Sequence, residues 1–254
     1  MPPTIATDGS STLPHWFFQN AETTPQERLY WLQIVLWAVG SADRIRDSDD
    51  VQRVLQGLAS CLFDANPECA ILACKIIVAL TERVERKRIA QYRAFIVQPL
   101  LSAFGRPDDL AAQYLSKALD AVFSTTTVSS LTESVPQTLR SHNPKVCRGT
   151  LEFAKRCLAV TPYAPVDVVS STLASSFIQL ITTNVSDEVC GLAIDALGSL
   201  LRVAGIGSLL EPMHKLDPVQ YARVYRASTY ADVRFRFAGD IPDRLPGILV
   251  CWRL

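Results

Sequence analysis

Apolar side chains recur along this chain at steps of three and four, the spacing that gathers them on one face of an α-helix. Cys147, Leu151, Ala154 and Leu158 form one such stripe, Ala111, Leu115, Ala118 and Val122 a second, and Val189, Ala193, Ala196, Leu200 and Val203 a third. Strand-like alternation is scarce before residue 230. Helix starts are marked as clearly as helix faces. Thr24-Pro25, Asn66-Pro67, Asn143-Pro144 and Asp217-Pro218 each pair a capping residue with a proline at the first helical position, where no amide hydrogen is needed. Thr24 and Glu27 also fit a capping box. Asp108 and Ser186 are weaker starts. The intervals from 24 to 66, 108, 143, 186 and 217 are 42, 42, 35, 43 and 31 residues, close to the roughly 40-residue period of HEAT repeats.

The pattern therefore predicts an all-α solenoid of about six HEAT-like helix pairs, because one pair cannot bury its apolar face alone and a stack of pairs can. The expected pairs are 13–19 with 25–41, 51–63 with 67–84, 89–104 with 110–123, 128–139 with 145–160, 166–181 with 187–203, and 209–216 with 218–227. Residues 1–12 read as a flexible leader, 13–227 as the array and 228–254 as a C-terminal extension of a different kind. In that extension Val233, Phe235 and Phe237 alternate with Arg234 and Arg236, a pattern open to a strand or to a packed extension. The helix at 25–41 is apolar nearly all round, so it is expected to be covered on both sides, with Trp16 and Phe17 on one of them and Trp16, Trp31 and Trp37 in the core.

Charge narrows the function. Acidic and basic residues balance to no net charge, which argues against a nucleic-acid partner, since counterion release needs a basic excess. The run from Glu82 to Arg88 interleaves glutamates with its arginines and reads as a solvated helix end and loop. No apolar segment approaches the roughly 18 residues that cross a bilayer, and residues 1–13 lack the basic start and apolar run of a signal peptide. A cytoplasmic protein with no membrane partner is expected. The seven cysteines contain no C-x-x-C pair and sit mostly in apolar helical patterns, so they read as reduced core thiols with no metal or other cofactor implied. Ser141, His142 and Cys147 cluster in sequence, but no acid is placed to orient the imidazole and no oxyanion site is suggested; no catalytic residue and no enzyme are expected.

In a solenoid of this kind every turn within a pair lies on the same edge, and each following helix presents free amides and the positive end of its dipole there. An acidic partner is the natural guess. Asp64-Ala65-Asn66, the Ser141 to Val146 turn with its Thr150-Leu151 continuation, and the segment from Leu216-Asp217 to Val224 together resemble the TOG domain. This is the tubulin-binding array of the microtubule polymerase family and, more distantly, of the CLASP family. The resemblance covers roughly residues 13 to 227. It implies that the turn edge binds the free αβ-tubulin dimer and regulates microtubule dynamics, at the microtubules of the cytoskeleton, spindle or centrosome. The site it implies is Thr24, Arg28, Asn66, Arg106, His142, Asn143, Lys145 and Arg148. The family pattern also has a first-turn tryptophan, which here falls near Thr24 or Pro25; a first lysine in the fourth turn, here His142; and a fifth-turn arginine, here Cys190. Those departures keep open the alternative of a HEAT-repeat scaffold for another protein, with weak or no tubulin binding. As one array without a Lys-rich linker, the chain is expected to sequester tubulin rather than speed growth.

Overall fold

The computed structural model describes residues 24–42, 45, 49–141, 143–161, 167–183 and 186–230. Among them the chain forms α1 (Pro25–Ser41), α2 (Asp49–Cys61), α3 (Pro67–Arg83), α4 (Arg86–Ser102), α5 (Asp109–Phe123), α6 (Leu131–Leu139), α7 (Pro144–Val160), α8 (Asp167–Thr183), α9 (Asp187–Ala204), α10 (Leu210–Met213) and α11 (Pro218–Tyr230). Short 3-10 turns at Ala103–Gly105, Val128–Ser130 and Gly207–Leu209 join some of them. No strand occurs among the described residues.

The starts follow the capping chemistry. Thr24 Oγ1 accepts from the Glu27 amide at 3.3 Å while the Glu27 carboxylate takes the Thr24 amide at 2.8 Å, closing the expected capping box. That bond holds the Glu27 carboxyl below its ordinary value. Asn66 and Asn143 accept from the Glu68 and Lys145 amides, Asp108 from Leu110 and Ala111, and Ser186 from Val189. The two weaker starts are therefore true caps. Asp217 Oδ1 takes the Gln220 amide at 2.8 Å and its own amide donates back to the Gln220 side chain.

The helices form two layers. The odd-numbered helices pack in chain order in one layer and the even-numbered helices in the other, with α2–α3, α4–α5, α6–α7 and α8–α9 also closing across the layers. Because every odd helix begins at a turn, the odd helices run parallel and their N-termini share one edge. The stripes meet between the layers: Cys147, Leu151, Ala154 and Leu158 of α7 are fully buried, as are Ala111, Leu115, Ala118 and Val122 of α5 and Val189, Ala193, Ala196 and Leu200 of α9. Val203 is only half-buried. Between α5 and α7 the contact is looser, and the 3-10 turn after α4 fills the gap. There the Phe104 ring lies against the backbone of Gly149, where a Cβ would stand 2.4 Å from Phe104 Cγ.

Three expectations change. Trp37 is 63% exposed and Trp31 half-buried; of the α1 residues Leu32, Val35 and Val39 are buried in the core, with Leu29 and Leu36 packed against it. A helix apolar all round does not say which side is covered. The helix expected over 209–216 shrinks to the four residues of α10, after which Lys215 and Leu216 bond back three residues in the tighter 3-10 manner. The last helix runs to Tyr230, three residues beyond the boundary drawn at 227. The run at 82–88 is, as expected, largely exposed, spanning the end of α3, the loop and the start of α4 at Arg86, with the half-buried Arg83 also donating from Nη1 to the Ala42 carbonyl at 2.8 Å. The expected first helix at 13–19 with Trp16 and Phe17, the leader, and the alternating segment from Val233 lie outside the described residues.

Candidate functional site

Turn by turn, the shared edge is built from side chains that reach into the neighbouring repeat. In the second turn, between α2 and α3, Asp64 is the hub: its side chain is only 6% exposed. Its Oδ1 accepts from the Asn66 amide at 2.8 Å, and its Oδ2 takes Arg28 Nε from α1 at 2.6 Å. A carboxylate this far out of water needs such partners. From the other side Arg106 Nη1 donates to the Leu62 carbonyl at 3.0 Å and to the Asp64 carbonyl at 2.6 Å. Asn66 Oδ1 then caps α3 through the Glu68 amide at 2.9 Å.

The third turn, Gly105 to Asp108, leans on the fourth as well as the second. A Cβ at Gly105 would stand 2.9 Å from Asn143 Nδ2 and 3.2 Å from Val146 Cγ2, so only glycine allows the Asn143 amide to sit where it does. In the fourth turn the Ser141 hydroxyl accepts from the Asn143 amide at 3.2 Å, and Asn143 Oδ1 accepts from the Lys145 amide at 3.0 Å. Lys145 is exposed. Arg148 is committed: its Nε bonds Glu152 at 3.1 Å and its Nη1 pairs with Glu188 of α9 at 2.9 Å. The hydrogen bond to Glu152, then the two carboxylate charges, push the Arg148 guanidinium further up from its ordinary value and keep it a cation. Cys147 is buried beneath the turn, its thiol donating to the Ser141 carbonyl at 3.3 Å, and burial pushes that thiol up. It is a core group rather than a nucleophile.

The expected residues thus fall into two clusters joined by the third turn. Arg28, Asn66 and Arg106 meet around Asp64; Asn143, Lys145 and Arg148 stand together at the head of α7. Thr24 is exposed at the head of α1, where its side chain serves the capping box. His142 lies outside the described residues. Cys190 is buried, in the wall of a notch of about 400 Å³ shared with Ile181, Thr182, Asp187, Gln220 and Arg223 at the fifth turn.

The sequence reading did not single out Asp64 and Glu188 as partners of these cations. Its signal was present: Arg28 and Asp64 are 36 residues apart, Arg106 and Asp64 42, and Arg148 and Glu188 40 by subtraction, about one repeat each. Among the described residues no group of three or more His, Cys, Asp or Glu side chains is placed to hold a metal ion, and no helix is long and apolar enough to cross a membrane. What the edge offers chemically is a row of capped helix N-termini, two asparagine amides and exposed cations that include Lys145 and Lys215, a surface for binding.

Comparison with known proteins places the fold. No protein-family model matches the chain. It is 26% identical over 185 residues to Protein mini spindles of Drosophila melanogaster, a match covering 72% of this chain and 9% of that protein. It spans less than a quarter of the length of the curated relatives it matches. Among solved structures, one described for microtubule plus-end tracking by XMAP215, CLIP-170 and EB1 superposes at a TM-score of 0.74 with 21% identity, covering 89% of this chain and 94% of the other. Another, described for tubulin recruitment and assembly by microtubule polymerases with TOG domain arrays, gives a TM-score of 0.73 with 17% identity, covering 90% of this chain and 48% of the other. The chain has the fold of these TOG domains.

Proposed function

We propose that this TOG-type array binds the free αβ-tubulin dimer through its turn edge and so regulates microtubule dynamics in the cytoplasm, at microtubules and the spindle. The observation that carries the reading is the pairing of this fold with an edge on which Asn66 caps α3, Asn143 caps α7 and Lys145 stands exposed at the head of α7. Helix N-termini and an ammonium favour an acidic partner surface. Asn66, Asn143 and Lys145 are the direct contacts in this reading, with Thr24, His142 and Arg148 at its margins. Catalysis has no part in it.

The test is direct binding of the whole chain to purified tubulin by size-exclusion chromatography or calorimetry. A complex is expected, weakened at least about tenfold by Lys145→Glu together with Arg148→Glu, the loss expected of charge-assisted interface bonds. Absence of any complex at about 50 µM, equivalent to less than about 6 kcal/mol of binding free energy, overturns the reading. One observation favours a second reading, a HEAT scaffold for a different protein: Arg28, Arg106 and Arg148 are all tied to internal partners. Tubulin binding that survives the double charge reversal supports that alternative for the fourth turn.

A further inference from the structure

The third turn offers the edge little that faces outward, yet it touches both neighbours. Arg106 spans to the second turn through a single nitrogen, Nη1, which donates to two backbone carbonyls, Leu62 and Asp64. Those carbonyls bracket the turn that ends in Asn66. The Arg106 Nε is buried without a partner, so the guanidinium is placed for these two bonds at the expense of a third. On the opposite flank the adjoining residue, Gly105, leaves the space occupied by the Asn143 amide. Arg28 completes the hold on the second turn by pairing with the 6%-exposed Asp64 carboxylate, whose other oxygen accepts the Asn66 amide. Two residues adjacent in sequence thus fix the backbone under one asparagine and the side-chain setting of the other.

We infer that Gly105 and Arg106 form a positioning bridge that sets the placement of Asn66 relative to Asn143, and that Arg106, with Arg28, acts on a bound partner through Asn66 rather than by touching it. This rests on the tubulin-binding reading for its partner, and on the geometry alone for the bridge. The physical logic is that a contact surface made of short asparagine side chains works only when the backbone beneath them is held in place before binding, since ordering it afterwards would be charged against affinity. Of the five N–H donors of Arg106, Nη1 spends two on these carbonyls and Nε is buried, which leaves Nη2 alone for a partner. Arg106 is therefore reassigned from the contact set to the support beneath it.

A double-mutant cycle with hydrogen exchange tests this on the whole chain. In the isolated protein, Arg106→Ala should speed exchange at the amides of Asn66 and Glu68, because the carbonyls bracketing the turn lose their donor, while the amides of α9 stay as protected as before. Arg106→Lys, which keeps one cationic donor, should restore part of that protection; it also serves as the readout if Arg106→Ala does not fold. Toward tubulin, Arg106→Ala should lower affinity about tenfold in the parent and less than about twofold in an Asn66→Ala background, since an indirect effect has nothing left to act through. Equal losses in both backgrounds would show Arg106 touching the partner, and unchanged exchange at Asn66 and Glu68 would show that it does not hold the turn; either overturns the inference. If no variant and no parent protein binds tubulin, the functional reading fails, and the exchange data still decide the bridge. On the other flank, Gly105→Ala should shift the side-chain amide resonances of Asn143, and an unmoved signal overturns that half of it.

Discussion

Asp120 and Arg156 face each other between α5 and α7, both Nε and Nη2 of the arginine donating to Oδ1 at 3.1 and 3.0 Å, with side chains 22% and 18% exposed. Burial pushes the Asp120 carboxyl up, and the Arg156 charge and hydrogen bonds pull it only part of the way back. The folded protein therefore holds the Asp120 proton to higher pH than the unfolded chain does, and stability falls as pH rises from the ordinary value of about 3.9 through the raised folded value. A carbon-13 titration should find the Asp120 midpoint above about 3.9 and Arg156→Met should raise it further; a midpoint at or below that value contradicts the account. The thiols report the same desolvation. Burial pushes Cys61 and Cys74 up to about 12 and Cys157 well above the usual thiol range, and the six described cysteines are all free and buried. At pH 8 a thiol reagent should label at most the remaining cysteine, Cys251, until the chain is unfolded; two or more fast-reacting thiols in the native protein would contradict this.

At the scale of helices, the contact between the Phe104 ring and Gly149 sets how closely the 3-10 turn after α4 approaches α7. A methyl group at Gly149 would meet three ring carbons at 2.4 to 2.7 Å, so the ring or the helix has to shift to admit it. Gly149→Ala should destabilise the protein by about 2 to 3 kcal/mol despite its better helix propensity, read as a lower urea midpoint at unchanged slope, whereas the exposed-edge substitution Thr24→Ala should cost about 1 kcal/mol as the loss of a cap. The contrast shows what the chain declared in advance. Helix starts were legible because a cap and its amide lie within three residues of each other, so Thr24, Asn66, Asn143 and even Ser186 announce themselves locally. The Phe104 to Gly149 fit depends on how two layers meet 45 residues apart in the chain, and no local pattern encodes it. Trp37 failed for a related reason: periodicity selects a face only when polar residues mark the other one, and α1 has too few of them. The identity of Asn66 and Asn143 as edge residues was legible; the commitment of Arg28, Arg106 and Arg148 to neighbouring repeats was not, because a lone cation reads the same whether its partner is a tubulin carboxylate or an acid one repeat away.

Across the whole molecule those cross-repeat bonds form a series. Arg28 with Asp64, Arg93 with Glu133, Arg148 with Glu188, Lys155 with Asp195 and Asp120 with Arg156 all join groups 36 or 40 residues apart, and they tie the first repeat to the second, the third to the fourth and the fourth to the fifth at the period of the fold. Pairs of this kind, partly exposed, contribute little each to stability, but they hold the repeats they join in register. They also spend charge. Among the described residues the edge carries Glu27, Asp64, Glu68, Asp108, Asp109, Asp187, Glu188 and Asp217 against Arg28, Arg106, Arg140, Lys145, Arg148 and Lys215, and Arg28, Arg106 and Arg148 are internally bonded. Long-range attraction to acidic tubulin should therefore be weak, and raising salt from about 50 to 200 mM should change the association rate less than about threefold, where a strongly steered pair would lose far more. Valency sets the consequence for microtubules. On the proposed reading, one array acting alone gains no effective concentration from a second tubulin site, so it is expected to hold a dimer without delivering it. Added in excess to dynamic microtubules, this chain should slow plus-end growth in proportion to the tubulin it occupies, and Lys145→Glu with Arg148→Glu should abolish the slowing. Faster growth with the chain alone, measured by fluorescence microscopy at fixed total tubulin, would mean that it meets the microtubule end through a surface other than the turn edge.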